Sequence, residues 1–190
     1  DAVIDELRWI KARYPVEFFY FGDEMLLANR HYCEELFPRI KSEIGLPYGC
    51  MARVEQVTPE LVALLRDTGC GYVAMGVECG DETFRREMLN RRMTNERIVE
   101  AFRLLRDRPG IDLRAFCMRG WPVPYDDELT AKTLALVEQL KPTRYQMNTF
   151  FPFPGTKIYD YCVQQDLIDW DKYWTKRNLK GESVLKPFKE

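Results

Sequence analysis

The 190-residue sequence lacks the features that mark membrane or nucleic-acid-binding proteins. No uninterrupted apolar run approaches the roughly 18 residues that a membrane-spanning helix needs, and no signal-peptide pattern occurs in it. Its 28 basic and 30 acidic side chains are spread along the chain and give a net charge of −2. Without a basic patch, we expect neither a nucleic-acid nor a membrane partner.

Histidine and clustered cysteine are scarce as well. The single histidine, His31, has no evident partner for a catalytic triad or a metal site, so we expect a surface or packing role. The two closest of the six cysteines, Cys70 and Cys79, are nine positions apart, which excludes a Cys-x-x-Cys pair. Disulfide frameworks belong to short secreted chains, and we instead expect reduced thiols in a cytoplasmic protein.

Strand-like and helix-like hydrophobic patterns alternate along the whole sequence. Leu61, Leu64 and Leu65 form an apolar stripe at helical spacing, and Thr58 is suited to cap that helix. The apolar run Tyr72–Val77 is typical of a strand covered on both faces. Five strands are predicted, at about residues 17–21, 48–53, 72–77, 113–118 and 144–150. Such alternation indicates right-handed crossovers and a parallel α/β sheet, either open or closed into a barrel.

Polar and small residues follow the predicted strands. In a parallel β/α fold, the residues just past the carboxyl ends of the strands lie on one face, where ligands bind. The candidates in these positions are Asp23 and Glu24, Arg53, Glu78, Met118 and Gly120, and Asn148 and Phe150. Carboxylates, an arginine, and amide or apolar groups together suit a zwitterionic, hydroxylated ligand with a flat aromatic part.

Most of these residues also have a purely structural interpretation. The Asp23-Glu24 pair is of the kind that caps helices, and Arg53 could neutralise a neighbouring carboxylate. Glu78 is harder to explain in this way, because it directly follows an apolar run and an unpaired buried carboxylate is costly. We therefore expect Glu78 to meet a cation, a donor-rich ligand or water.

Five segments of the sequence resemble the radical S-adenosylmethionine (SAM) superfamily, in particular the branch often joined to a cobalamin-binding domain. Phe21–Glu24 is similar to that branch's Phe-x-Asp-Asp segment, and Gly76–Asp81 to its Gly-Val-Glu-Ser-Gly segment. The other three are Leu89–Thr94, Phe116–Pro122 and Phe150–Thr156. All five occur in the family's order, and the resemblance spans about residues 1–168, in register with the predicted strands.

The resemblance implies a partial (β/α)6 TIM-like barrel of parallel strands, with residues 1–168 as its core and residues 169–190 as a C-terminal extension. The family's first strand and its Cys-x₃-Cys-x₂-Cys cluster loop are missing from this sequence, which starts in the helix that follows them. We expect both to lie upstream. The isolated chain is then expected to be inactive, because its cysteines lack the spacing that cluster ligation needs.

The resemblance also implies SAM and a [4Fe–4S] cluster as cofactors, which together generate a deoxyadenosyl radical that removes a hydrogen atom from the substrate. Carried over by position, Asp23 and Glu24 would lie beside the methionine amino group of SAM, Arg53 would address its carboxylate, and Glu78 would hold the ribose hydroxyls. The residues that would border adenine are Met118, Gly120, Asn148 and Phe150. Cobalamin in a separate domain is a further expectation from the family.

Several alternatives stay open. Relatives have Pro-Gly-Glu where Pro122–Tyr125 reads Pro-Val-Pro-Tyr, so the adenine-side contact is not settled by the resemblance. Asp23, Glu24 and Glu78 could instead bind a divalent metal in a β/α barrel enzyme, or the chain could be a non-catalytic small-molecule-binding module. The substrate is expected to be a small molecule or cofactor precursor, since the fold does not select the reaction. An uncovered strand at Phe18–Phe21 predicts a homodimer through that sheet edge.

Overall fold

The structure is a computed structural model that describes residues 2–23, 25–107, 110–175 and 182–187. Five parallel strands form one sheet in the order β1-β2-β3-β4-β5 within this part of the chain. The strands are β1 (Phe19–Phe21), β2 (Tyr48–Ala52), β3 (Cys70–Glu78), β4 (Asp112–Arg119) and β5 (Arg144–Thr149). The predicted parallel α/β fold with five strands is confirmed.

Eight α-helices accompany these strands in the described residues. They are α1 (Ala2–Arg13), α2 (Arg30–Arg39), α3 (Pro59–Asp67), α4 (Glu82–Met88), α5 (Asn95–Arg106), α6 (Asp126–Leu140), α7 (Lys157–Gln164) and α8 (Trp170–Thr175). Short 3₁₀ turns cover Leu26–Ala28 and Val54–Gln56, and a π-helical turn covers Ile40–Ile44. None of the described helices has the length and apolar character needed to cross a membrane.

Local sequence signals account for the ends of the best-predicted helices. The Thr58 hydroxyl accepts a hydrogen bond from the backbone of Leu61 at 3.2 Å, which caps α3 as predicted. Pro38 inside α2 cannot donate a backbone hydrogen bond, and the chain changes to a π-helical turn directly after it. That turn ends at Gly45, whose φ of 69° is favourable only for glycine.

The structure confirms that the middle of β3 is buried on both faces and shows incomplete cover toward the strand ends. The strand runs from Cys70 to Glu78, so Glu78 is its last residue rather than the residue after it. Tyr72, Gly76 and Glu78 are only half-buried. Because successive side chains of a strand alternate between its two faces, these three share one face. Ala74 on the same face is fully buried, so this face is covered in its middle and only half-covered toward the end that carries the candidate carboxylate.

Helix α4 was not predicted from the sequence. It has seven residues, of which only Phe84 and Met88 are large and apolar, so it is too short for a helical period to be recognised. Strand β1 has three residues and is shorter than predicted. It lies at one end of the strand order, and the expected homodimer through this edge stays a prediction.

The chain divides into two compact units whose segments interleave along the sequence. The first unit comprises Asp1–Gly76, Glu96–Ala115 and Leu140–Arg144, and the second comprises Val77–Asn95, Phe116–Gln139 and Tyr145–Glu190. In the first, Phe37 packs on Tyr48 with ring centroids 4.8 Å apart. Burying a side chain such as Phe37 stabilises a fold by about 1.5–3 kcal/mol.

The second unit has an aromatic core of its own. Trp121 is 2% exposed and lies between Phe84 and Phe150, with ring centroids 5.0 and 5.3 Å away. Cys162 and Tyr173 belong to the same buried cluster, so α7 and α8 are anchored in it. The predicted separation of residues 169–190 as an extension stays a prediction.

Candidate functional site

Glu78 ends β3 in an unusual backbone turn. Its φ is 64°, and the backbone N–H of Cys79 donates to the carbonyl oxygen of Val77 at 2.9 Å. A hydrogen bond that joins residues 77 and 79, with a positive φ at the residue between them, defines a γ-turn of the rare and strained type. Such backbone strain costs on the order of 1–3 kcal/mol and persists only where the surrounding structure enforces it. The turn places a carboxylate directly at the carboxyl end of a strand.

An arginine that the sequence analysis had not assigned to the site pairs with this carboxylate. Arg91 Nη1 donates to Glu78 Oε1 at 2.7 Å, and the two side chains are 27% and 22% exposed. The Arg91 backbone is fixed in turn, because its N–H donates to the carbonyl oxygen of Arg85 at 2.9 Å. The expectation that Glu78 meets a cation, a donor-rich ligand or water is therefore confirmed for the cation. Arg91 lies in the Leu89–Thr94 segment, which the family resemblance had already marked.

The end of β4 forms a second structured turn in the same unit. Gly120 has a φ of 74°, which accounts for a glycine at this position. Asp126 accepts hydrogen bonds from the backbone N–H groups of Gly120 and Trp121, at 3.1 and 2.8 Å. Asp126 is also the first residue of α6. Its carboxylate ties that helix to the strand end.

The other predicted adenine-side residues differ in accessibility. Met118 is half-buried and packs on the core of the second unit. The Phe150 side chain is 4% exposed and packs on Trp121, while its backbone N–H donates to the carbonyl oxygen of Arg119 at 2.8 Å. Asn148 Oδ1 accepts a hydrogen bond from Gln146 Nε2 at 2.6 Å. These three positions stay predictions as ligand contacts.

The predicted residues of the first unit make local contacts. Asp23 accepts a hydrogen bond from the backbone N–H of Met25 at 2.7 Å, which is a turn-stabilising role. Arg53 approaches Glu55 to 3.8 Å, as its structural interpretation proposed. Glu24 lies outside the described residues. The roles of these three toward SAM also stay predictions.

The residues present do not fit an iron–sulfur cluster. All six cysteines are free and buried. Burial raises the pKa of Cys117 to about 12 and those of Cys33 and Cys162 to about 11, which disfavours the thiolate that binds iron. Across residues 2–23, 25–107, 110–175 and 182–187, no three His, Cys, Asp or Glu side chains form a group that could hold a metal ion. Nothing in those residues supports the divalent-metal alternative either.

Comparisons with known proteins agree with the resemblance in the sequence. A methyltransferase of Pyrococcus horikoshii without a characterised activity is 22% identical over 179 residues, which are 92% of this chain and 38% of the relative. Cytidylyl-2-hydroxyethylphosphonate methyltransferase of Streptomyces wedmorensis is 22% identical over 174 residues, which are 88% of this chain and 32% of the relative. The chain thus spans about a third of the length of these relatives.

Solved structures show the same fold. One of them is the radical SAM methyltransferase TsrM of Kitasatospora setae, solved with tryptophan and a SAM analogue. It has a TM-score of 0.70 at 19% identity, and the match covers 86% of this chain and 32% of the TsrM chain. Coproporphyrinogen III oxidase of Escherichia coli has a TM-score of 0.64 at 19% identity, and the match covers 89% of this chain and 41% of the oxidase chain. The family model described as the radical SAM superfamily matches residues 1–134, which is more than half of the sequence. The chain belongs to the radical SAM superfamily.

Proposed function

We propose that this chain is the SAM-binding core of a larger radical SAM enzyme that modifies a small molecule or cofactor precursor. The observation that carries the proposal is the Glu78 carboxylate. It ends β3 in a strained turn within the segment that resembles the family's Gly-Val-Glu segment. Strain of this kind is retained at ligand sites, because a relaxed turn would be more stable but would point the side chain elsewhere.

Glu78 suits the ribose of SAM for a simple chemical reason. An ionised carboxylate only accepts hydrogen bonds, and a ribose presents two neighbouring hydroxyl donors. Arg91 balances the charge of this half-buried carboxylate, which would otherwise be costly in the absence of ligand. Glu78 is therefore assigned to bind the ribose, and Arg91 to hold and orient Glu78.

The remaining predicted residues keep the assignments to SAM that the family resemblance implies for them. Asp23 and Glu24 are assigned to the amino group of the methionine part, and Arg53 to its carboxylate. The contacts assigned to adenine are the half-buried Met118 and Asn148 and the backbone at Gly120 and Phe150. Because the Phe150 side chain is buried against Trp121, its part is to support this edge rather than to stack on the base.

The cofactors supply the reaction, and the chain supplies binding and orientation. SAM and a [4Fe–4S] cluster supply radical chemistry when both are bound. We assign the cluster ligands to a part of the protein outside this chain, because none of its buried cysteines fits them. Two curated relatives are named methyltransferases, and TsrM was solved with cobalamin and a [4Fe–4S] cluster. Methyl transfer with cobalamin held in a separate domain is therefore the reaction type that we favour.

Binding of S-adenosylhomocysteine to the full-length protein tests this proposal. Calorimetric titration of the wild type is expected to show binding, and Glu78→Gln is expected to weaken it about tenfold or more, because charge-assisted hydrogen bonds are lost. Glu87→Gln is the matched control, since Glu87 is 60% exposed and pairs with Arg86 on the surface. Lack of wild-type binding, or equal affinities for the two variants, would contradict the proposal.

A further inference from the structure

We propose that Thr133, Arg85 and Asn95 are positioning residues that clamp the γ-turn at Glu78 and thereby aim its carboxylate at the ribose. This inference rests on the proposed function and extends it, because none of the three residues belongs to the predicted site. All of them lie in the second unit, as does Glu78.

The first part of the clamp is Thr133 on helix α6. Its hydroxyl accepts a hydrogen bond from the backbone N–H of Gly80 at 2.8 Å and donates to the carbonyl oxygen of Leu129 at 2.7 Å. Thr133 is completely buried. The residue that comes two positions after Glu78 is therefore fixed to a helix rather than to its own loop.

The second part is Arg85 on helix α4, which is also completely buried. Its guanidinium donates to the carbonyl oxygen of Cys79, to that of Met93 at 3.1 Å, and to Asn95 Oδ1 at 2.7 Å. All three acceptors are neutral, and Arg85 Nε has no hydrogen-bond partner among the described residues. Burying an arginine to hold a loop costs free energy, because its charge loses the solvation of water.

The third part is Asn95 at the start of helix α5. Asn95 Nδ2 donates to the carbonyl oxygen of Gly80 at 3.0 Å, while its backbone N–H donates to Glu82 Oε1 at 2.6 Å. Thr133 and Asn95 together hold both backbone polar groups of Gly80, and Arg85 holds the carbonyl of Cys79. These three backbone groups after the turn are thus held by side chains from three different helices.

The glycine at position 80 shows how closely the turn is held. A Cβ atom there would lie 2.3 Å from the carbonyl oxygen of Lys132, which is backbone of helix α6 and cannot move aside. The backbone after Glu78 is therefore pressed directly against α6. This contact prevents the turn from relaxing in the direction of that helix.

The clamp also controls the counter-ion of Glu78. Arg85 accepts, through its backbone carbonyl, the hydrogen bond from the N–H of Arg91. Arg91 in turn donates to Glu78. A single buried residue thus sets both the backbone that carries the carboxylate and the arginine that faces it. A role confined to loop stability would not require both connections.

Discrimination between adenosine and 2′,3′-dideoxyadenosine by the full-length protein tests the inference. The wild type is expected to prefer adenosine about tenfold or more, because only adenosine carries the 2′- and 3′-hydroxyls assigned to Glu78. Thr133→Val keeps the side-chain volume but removes the acceptor for Gly80, so the preference is expected to fall below about threefold, with the affinity for dideoxyadenosine unchanged. Thr133→Ser is the matched control and is expected to retain the preference.

Asn95→Asp is the second variant, in case Thr133→Val does not fold. It removes the donor to Gly80 but gives Arg85 a carboxylate partner, and the same loss of preference is expected. Full preference in a folded Thr133→Val or Asn95→Asp protein, even one of lowered melting temperature, would overturn the positioning role and leave the proposed function intact. A wild type that binds adenosine and dideoxyadenosine equally would overturn both.

Discussion

At position 78 a residue with a Cβ atom occupies a conformation that normally favours glycine. The hydrogen bond from Cys79 to Val77 closes the turn, and Arg91 meets the side chain, yet neither removes the steric cost at Glu78 itself. The residue is therefore retained for its carboxylate and not for its backbone.

Glu78→Gly is expected to be more stable than Glu78→Ala by about 1 kcal/mol. Both variants lose the pair with Arg91, so their difference isolates the positive φ. In an ordinary strand the order is reversed, because glycine loses more conformational entropy on folding. Urea unfolding gives the two free energies, and an alanine variant as stable as the glycine variant would show that the turn is unstrained.

Asp81 predicts a pH dependence of stability. Burial alone would raise the pKa of Asp81, but hydrogen bonds from Lys132 and from the backbone of Phe84 lower it below its usual value. A carboxylate with a lowered pKa contributes stability above its unfolded pKa of about 3.9 and loses it as the pH falls through the lower folded pKa. Its contribution should therefore be fully present at neutral pH.

Asp81→Asn is expected to destabilise the protein by about 0.5 kcal/mol at pH 7, because Lys132 is 55% exposed and Asn still caps α4. The difference from wild type should shrink as the pH falls below the unfolded pKa of about 3.9 and vanish once Asp81 is protonated in the folded protein as well. Asp81→Ala also removes the cap and should cost about 1 kcal/mol more at neutral pH. Urea unfolding at several pH values measures these differences, and a constant difference across the range would contradict the assignment.

At the scale of elements, the segment from the end of β3 through α4 to Asn95 is tied together by side-chain hydrogen bonds to its backbone. Helix α4 is short, and its position is set by Phe84 in the aromatic core and by Arg85 beneath the γ-turn. Helix α6 faces the same turn through Thr133 and the backbone of Lys132. The strand end is thus held between helices that are distant in the sequence.

Gly80→Ala is expected to destabilise the protein by about 1–3 kcal/mol, since the new methyl group would meet the backbone of α6. Gly71→Ala, inside β3, is the control, because the nearest atom to its Cβ would be 3.8 Å away, in the Phe18 ring. That substitution should change stability by less than about 0.5 kcal/mol. Thermal unfolding compares the two, and similar melting temperatures would show that α6 yields to the added carbon.

At the scale of the molecule, the chain carries a candidate SAM site but no fitting ligands for the cluster that SAM requires in this superfamily. Its cysteines are buried, and several have thiol pKa values well above the ordinary one. The chain also spans only about a third of the length of its curated relatives. This chain alone is therefore expected to bind SAM without activating it, whereas the full-length protein is expected to do both.

This chain alone, reconstituted anaerobically with iron and sulfide, is expected to form no stable [4Fe–4S] cluster and to produce no 5′-deoxyadenosine from SAM. The full-length protein under the same conditions is expected to do both, because the closely grouped thiolates that a cluster needs would then be present. Absorption spectra and chromatography of the nucleoside products measure the two outcomes. A stable cluster on the isolated chain would refute the assignment of its ligands to another part of the protein.

The sequence by itself determined the alternation of helices and strands, the caps such as Thr58, the terminal glycine Gly45 and the position of Glu78 at a strand end. These features depend on hydrophobic period and on neighbours within a few residues, which are visible in the chain. Only the tertiary structure decided which groups surround Glu78. Arg91 is 13 positions away from Glu78, and Thr133 is 53 positions away from Gly80. Such partners are selected by packing between helices, and no local pattern in the sequence encodes it.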